Sequence, residues 1–361
     1  MPFDQSLIAP AVDRYRRERD RYIKLADRVA EICRTDICLE NAIRAQVTFR
    51  VKSISSFEGK LRRFLRKEHK NFRSVDQIFD EVSDLAGVRI ATYQEEDLER
   101  IVEVVQQVFV GPDSGPVDID QKDLNKGNSS NFYAATHAQV SLREDELIGT
   151  YDNLNDVSCE IQICTMMAHV WNEIEHDIGY KPDGGGPSPL EKSILVMLGH
   201  NVRQGDRMIS ELLTANSERL NDQDEDFQDV HDFVAQTRSL FPVRDFAKNS
   251  GQLFDQILML SILKIEDVER AVGRVDMNAA QHSINAFNTF ISRKEGVSLR
   301  MDPQTSDVLL MQLFDRKLEP IIESYKGRVG RGRGRANRLY RLALLYRELR
   351  QDAVSSTSLS D

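Results

Sequence analysis

The chain predicts an α+β domain followed by an all-α domain. Three observations carry this expectation. Apolar residues at helical spacing open the chain, strand-like periods occupy the middle between residues 84 and 164, and the helical period returns after Met166 and holds almost to the end. The 361 residues suffice for about two domains.

Taken in order, residues 1–40 read as an N-terminal amphipathic helix, with Leu7, Ile8, Val12, Tyr15, Tyr22, Leu25, Val29 and Ile32 on one side. Residues 54–69 read as a second helix, apolar through Ile54, Phe57, Leu61, Phe64 and Leu65 and basic on its other side. Residues 84–92 read as a buried strand and 95–109 as a helix. Residues 111–131, rich in Gly, Pro, Asp, Asn and Ser, read as a loop around a short strand near 117–119. Residues 133–142 read as a further strand. Residues 157–164 alternate, with Val157, Cys159, Ile161 and Ile163 on one face and Glu160 and Gln162 on the other. A long amphipathic helix is expected over 189–219, and helices over 252–274, 278–295, 304–325 and 336–352. The predicted organisation is an α+β domain over 41–220, an acidic linker over 221–229, a helical domain over 230–352 and a disordered Ser-rich tail over 353–361.

Composition narrows the class. Hydrophobic residues make up 40% and charged residues 29%, which excludes a collagen, a wholly disordered chain and a disulfide miniprotein. No run of about 18 apolar residues and no secretory leader is visible, so a cytoplasmic protein without a membrane partner is expected. The four cysteines form no CxxC pair, which fits reduced thiols and no structural zinc. The net charge is −10, yet residues 44–73 hold ten Lys/Arg against two Glu, and residues 324–350 hold nine against one. Two basic segments in an acidic chain suit two places that meet anions. Two basic helix faces in water would give the same pattern.

The P-loop, the GxGxxG turn, HExxH and GxSxG are all absent. What remains is a set of polar residues. Lys52, Ser56 and Lys60 are spaced to share one helix face, where two cations and a hydroxyl suit a polyphosphate. Asp84 heads an apolar strand, and Glu160 sits inside another, where a carboxylate is unfavourable unless exposed or paired. Two acids beside a polyphosphate make a Mg²⁺ site plausible, because Mg²⁺ commonly takes one or two carboxylates and completes its shell with water and phosphate oxygens. An exposed sheet face would also accommodate Glu160. Lys122, Asn131, Tyr133 and His137 form a cationic loop ending in an aromatic and a histidine, groups able to hold a base and phosphate.

In this order the motifs resemble the synthetase domain of the RelA/SpoT family: Arg50-Val-Lys52 with Ser56 and Lys60, Asp84-Leu-Ala-Gly87-Val-Arg89, Lys122 to Tyr133 and His137, then Glu160-Ile-Gln162 with Thr165, Trp171, Glu175-His176 and Tyr180-Lys181. The resemblance covers roughly residues 40–215. It implies a nucleotidyltransferase-like mixed sheet flanked by helices. It also implies transfer of the β,γ-pyrophosphate of ATP to the 3′-hydroxyl of GDP or GTP, the synthesis of (p)ppGpp. Asp84 and Glu160 would be catalytic and hold Mg²⁺, with Glu160 also the base. Arg50 and Arg89 would lie at the adenine, with Lys52, Ser56 and Lys60 on the ATP phosphates. Lys122, Asn131, Tyr133, His137 and Gln162 would surround the acceptor.

The chain departs from the family pattern in two places. Phe132-Tyr133-Ala134 stands where the family reads Gly-Tyr-Arg, and Cys164 stands where it has an arginine. These changes keep a second acceptor open, the 3′ end of tRNA, as in translation-blocking toxins of the family. Candidate RNA contacts are the arginines and lysine of the strap after Tyr325, namely Lys326, Arg328, Arg331, Arg333, Arg335 and Arg338. A flexible basic linker is the plainer reading of that strap. No hydrolase half is visible, so an inhibitory partner or antitoxin is expected to restrain activity. A third reading is an inactive nucleotide-binding sensor.

Overall fold

In this computed structural model the described residues are 4–67, 71–123, 132, 134–179, 186–221, 225–274, 276–294, 299–325 and 338–357. A five-stranded sheet of order β1-β2-β5-β4-β3 positions the candidate site. Its strands are β1 (Ala45–Val51), β2 (Ala86–Thr92), β3 (Ile119–Asp123), β4 (Ala134–Val140) and β5 (Cys159–Thr165). Strands β2 and β5 are parallel and the other pairs antiparallel, so the sheet is mixed.

Register determines what each face carries. Ile161 lies between Val88 and Ala138, and Cys159 pairs with Val140. These apolar positions are buried with the stripe of α1 (Ile8–Ile32), through Tyr15, Leu25 and Val29, and with Ile101 and Val105 of α4 (Asp97–Val108). The alternate positions form polar rows: Arg50–Gly87–Glu160–Gln139, then Thr48–Arg89–Gln162–His137–Asp120. The strand period therefore separates core from chemistry without any special residue.

Helix α2 (Ile54–Lys67) begins where Ser53 accepts a hydrogen bond from the Ser56 amide (3.1 Å), an N-cap that ends β1 cleanly. Arg50 thus lies in a strand and Lys52 in the connection after it, so only Ser56 and Lys60 share the helix face expected for all three. Strand β1 was not read from the sequence. Neither was α3 (Val75–Glu81), which Ser74 caps through the Gln77 amide (3.2 Å). Helices α5 (Met166–Gly179) and α6 (Pro189–Asn221) follow the sheet.

Contacts divide the chain into Met1–Cys38 with Ile43–Glu211, and Leu39–Ala42 with Leu212–Asp361. The N-terminal helix therefore belongs to the sheet unit instead of standing apart, with its apolar stripe buried in that unit's core. The division also falls inside α6, not in the acidic segment 221–229: the helix runs on where Met208 and Leu212 are already exposed.

The second unit holds α7 (Val230–Thr237), α8 (Ser250–Met259), α9 (Ile265–Val272), α10 (Met277–Lys294), α11 (Asp307–Ser324) and α12 (Arg338–Thr357). Its core is aromatic and aliphatic, with Phe233, Phe241, Phe287, Phe314 and Ile321 fully buried. The single helix expected over 252–274 is two, because Ser261 takes a positive φ of 58° and the Leu263 amide turns to the Asp267 carboxylate (3.1 Å). Residues 353–357, expected in a disordered tail, continue α12. Among the described residues no helix is long and apolar enough to cross a membrane.

One expected RNA contact is corrected here. Arg338 makes a two-pronged pair with Asp307, at 2.9 and 2.6 Å, and also donates to the Arg300 carbonyl (3.1 Å). Asp307 is only 1% exposed and further accepts from Asn249 and the Asp302 amide. The guanidinium is committed to the fold, since leaving Asp307 buried and unpaired would be costly. Lys326, Arg328, Arg331, Arg333 and Arg335 lie outside the described residues.

All four cysteines are buried and free. Burial pushes the Cys164 thiol up to about 11 and Cys38 up to about 12, and drives Cys33 and Cys159 well above the usual range.

Arg338→Ala is expected to cost the second unit about 3–5 kcal/mol, the usual result of stranding one buried partner. Urea unfolding followed by far-ultraviolet circular dichroism checks this. An unchanged midpoint would show that water satisfies Asp307.

Candidate active site

The polar rows of the sheet converge on Glu160. His137 faces Gln162 across β4 and β5, and its Nδ1 lies 3.1 Å from Glu160 Oε1. An ionised carboxylate only accepts, so Nδ1 carries the proton and donates. The Gln162 amide donates to Glu160 Oε2 (3.0 Å), and its own oxygen accepts from Arg89 (3.2 Å). Burial raises the Glu160 carboxyl, but hydrogen bonds from His137 and Gln162, with the His137 charge, outweigh it and hold the group below its usual value.

Asp84 lies just before β2. Lys52 Nζ sits 3.0 Å from Asp84 Oδ2 and Lys60 Nζ 2.7 Å from Oδ1. The two lysines arrive from different elements, the β1–α2 connection and α2. Lys52 is held by three hydrogen bonds at its backbone amide and carbonyl. Its amide donates to the Leu85 carbonyl (3.0 Å), and its carbonyl accepts from the Tyr15 hydroxyl (2.7 Å) and Arg19 (3.4 Å). Burial acts to raise Asp84, and the hydrogen bond and charge of Lys60 with the charge of Lys52 overcome it, leaving the carboxyl below its ordinary value. The two acids also feel each other, because the Asp84 charge works against ionisation of Glu160.

Arg50 lies across Gly87, where a Cβ would stand 3.7 Å from its Cγ. Arg89 donates to Gln162, pairs with Glu173 (2.6 Å) and approaches His169 Nε2 (3.3 Å). Arginine only donates, so His169 Nε2 accepts and the ring is neutral. Burial, then the Arg89 charge, lowers the His169 pKa accordingly. Ser56 is exposed on α2 and accepts from the Ser53 hydroxyl (2.8 Å).

The structure therefore gathers the expected residues into two linked groups, Asp84–Lys52–Lys60 and His137–Glu160–Gln162–Arg89. Asn131, Tyr133 and the side chain of Lys122 lie outside the described residues. Tyr15, His169 and Glu173 were not anticipated. His169 and Glu173 are four apart on α5, a spacing that puts both on one face. Tyr15 reads as an ordinary core residue in the helical stripe.

Among the described residues no group of three or more His, Cys, Asp and Glu gathers as a cation cage. Two carboxylates alone, hard oxygen donors that repel each other, fit an ion such as Mg²⁺ that takes the rest of its shell from phosphate and water.

Residues 49–185 match the family described as the region found in RelA / SpoT proteins. That stretch encloses every site residue above from Arg50 to Glu173, while Tyr15 and Arg19 lie before it. GTP pyrophosphokinase YjbM of Bacillus subtilis (strain 168) is 29% identical over 150 residues, 40% of this chain and 61% of the relative. The small alarmone synthetase 1 from Bacillus subtilis is 25% identical, with a TM-score of 0.44 over 57% of this chain and 99% of that one. A GTP pyrophosphokinase family protein from Streptococcus pneumoniae is 22% identical, with a TM-score of 0.42 over 55% and 92%.

The lowered carboxyl values of Asp84 and Glu160 set a pH dependence. A group whose folded value is depressed stabilises the fold fully above its unfolded value, here 3.8 for Asp84 and 4.5 for Glu160, and the contribution is lost as pH falls through the folded value. Lys60→Met removes a principal lowering influence on Asp84. The Asp84 carboxyl is expected to titrate at higher pH in that variant, read by carboxyl-carbon NMR. An unmoved titration would take Lys60 out of the pair.

Proposed function

We propose that the chain is an ATP-dependent pyrophosphokinase that transfers the β,γ-pyrophosphate of ATP to the 3′-hydroxyl of GDP or GTP, making (p)ppGpp. One observation carries the reading. Within a RelA/SpoT region, an ionised Glu160 held by His137 and Gln162 stands in the field of an Asp84 that binds two lysines. The identity with a GTP pyrophosphokinase over 150 residues supports it, although the chain spans only 61% of that relative.

In this reaction the 3′-oxygen bonds to the β-phosphorus, the bond from that phosphorus to the oxygen bridging to the α-phosphate breaks, and AMP leaves. Such transfer needs alignment and charge neutralisation more than covalent help. Lys52 and Lys60 supply two cations beside Asp84, positioned to exchange their carboxylate partner for phosphate oxygens. Arg50, Arg89 and Ser56 complete the ATP side. Glu160 is ionised at neutral pH and accepts the hydroxyl proton. Its depressed pKa makes it a weak base, so it orients the hydroxyl and takes the proton late, as the new bond forms. His137 and Gln162 keep its oxygens aimed, with Lys122, Asn131 and Tyr133 assigned to the acceptor. Asp84 and Glu160 would hold Mg²⁺, which would neutralise charge on the transferring phosphates.

The test offers ATP labelled on its terminal phosphate, with magnesium, to GDP, GTP and tRNA separately. Label is expected in the guanosine nucleotides, and Glu160→Gln should lower kcat by about 10²–10⁴-fold. Label in tRNA alone would replace the acceptor, and full turnover of Glu160→Gln would remove Glu160 from catalysis.

A further inference from the structure

Glu160 is held at both carboxylate oxygens, by His137 at Oε1 and by the Gln162 amide at Oε2 (3.0 Å). The nitrogen and oxygen of a side-chain amide point in opposite senses, so the partner of the Gln162 oxygen decides how firmly its nitrogen stays on Glu160. That partner is Arg89, which lies opposite Gln162 in the register of β2 and β5 and donates to its oxygen from Nη2 (3.2 Å). Cys164, the next position on the same face of β5, is a buried neutral thiol and brings no charge.

Arg89 is fixed in turn by α5. Nη2 carries two hydrogens, and it serves Gln162 and also Glu173 Oε1 (2.6 Å). Nη1 lies 3.3 Å from His169 Nε2, which accepts. The guanidinium plane therefore has three points of support, two of them from one face of α5. The helix reaches this place because it starts directly after β5, where the Thr165 hydroxyl oxygen accepts from the Ala168 amide (3.0 Å).

The two α5 supports differ in kind. His169 is a neutral ring whose Nδ1 is buried without a hydrogen-bond partner, so Glu173 is the charged support. The Glu173 side chain is 53% exposed and the Arg89 side chain 19%. A pair with one half in water adds little to stability, and its consequence here is to aim a mostly covered cation.

We propose that Glu173 is a positioning residue for Glu160, acting through Arg89 and Gln162: it holds the guanidinium that fixes the Gln162 amide, and so aims the Glu160 carboxylate at the attacking hydroxyl. This rests on the pyrophosphokinase reading. No proton moves along the series, because Arg89 and Gln162 keep their hydrogens; only alignment is passed on.

The experiment uses the full chain with Glu173→Ala, Glu173→Gln, Gln162→Ala and the variant combining Glu173→Ala with Gln162→Ala, each checked for fold by circular dichroism. Glu173→Ala is expected to lower kcat by about tenfold. Glu173→Gln keeps an oxygen in place for Arg89, and its kcat should fall by no more than about threefold. In the Gln162→Ala background, Glu173→Ala should change kcat by less than about twofold, because the series is already cut. A raised KM for ATP with kcat unchanged would show that Glu173 serves Arg89 alone and would overturn the proposal, as would full additivity in the combined variant. Proton–nitrogen NMR of the glutamine side-chain amides reads the series without turnover, the Gln162 signals being assigned by their loss in Gln162→Ala. Those signals are expected to shift in Glu173→Ala, and unmoved signals would refute the linkage. Absence of guanosine transfer in the unaltered protein would instead refute the pyrophosphokinase reading, with the NMR result still deciding whether Glu173 governs Gln162.

Discussion

Two carboxylates held partly out of water and within each other's field stay ionised only if donors and cations surround both. Asp84 and Glu160 satisfy this from separate directions. Asp84 draws on Lys52 and Lys60, and Glu160 on His137 and Gln162. Much of the architecture follows. The sheet must bring β4 beside β5 so that His137 reaches Glu160. The β1–α2 connection must turn so that Lys52 meets a lysine from the helix. Tyr15, on the helix beneath, fixes the Lys52 carbonyl and so couples the core to the charged cluster.

The same unit answers a second demand on its opposite face. Val88, Ile161 and Ala138 lie in one row and are covered by α1 and α4, so burial is complete where the chemistry is absent. The helical unit is organised differently. Its aromatic core is accompanied by an ion pair between a half-buried Arg338 and a buried Asp307, whose carboxylate also caps local backbone. Such a pair adds little net stability compared with apolar side chains of similar size, but it is costly to break and rejects alternative packings that would strand it.

How far the site could be read in advance varied with the physics of each residue. Glu160 and Gln162 were legible because a period of two leaves no choice of face. The start of α2 and the long α6 were legible from their apolar spacing. Lys52 was placed on a helix because a four-residue spacing looks the same whether a strand and cap intervene or not, and only Ser53 marks the change. Its meeting with Lys60 at Asp84 depends on tertiary approach, which spacing does not encode. Arg338 was grouped with the glycine–arginine strap because charge along a sequence carries no information about burial. The break between α8 and α9 rests on the positive φ of Ser261, a backbone state that serine seldom adopts.

The cysteines have a consequence for how the molecule can be observed. Cys33, Cys38, Cys159 and Cys164 all belong to the sheet unit, and residues 39–42 and 212–361 contain none. Buried as neutral thiols, they react only when their surroundings open. Alkylation in the folded chain is therefore a clock for one half of the molecule. It ticks when the sheet unit opens, and no thiol of the second unit contributes to it, so its rate reports one half of a single unaltered polypeptide.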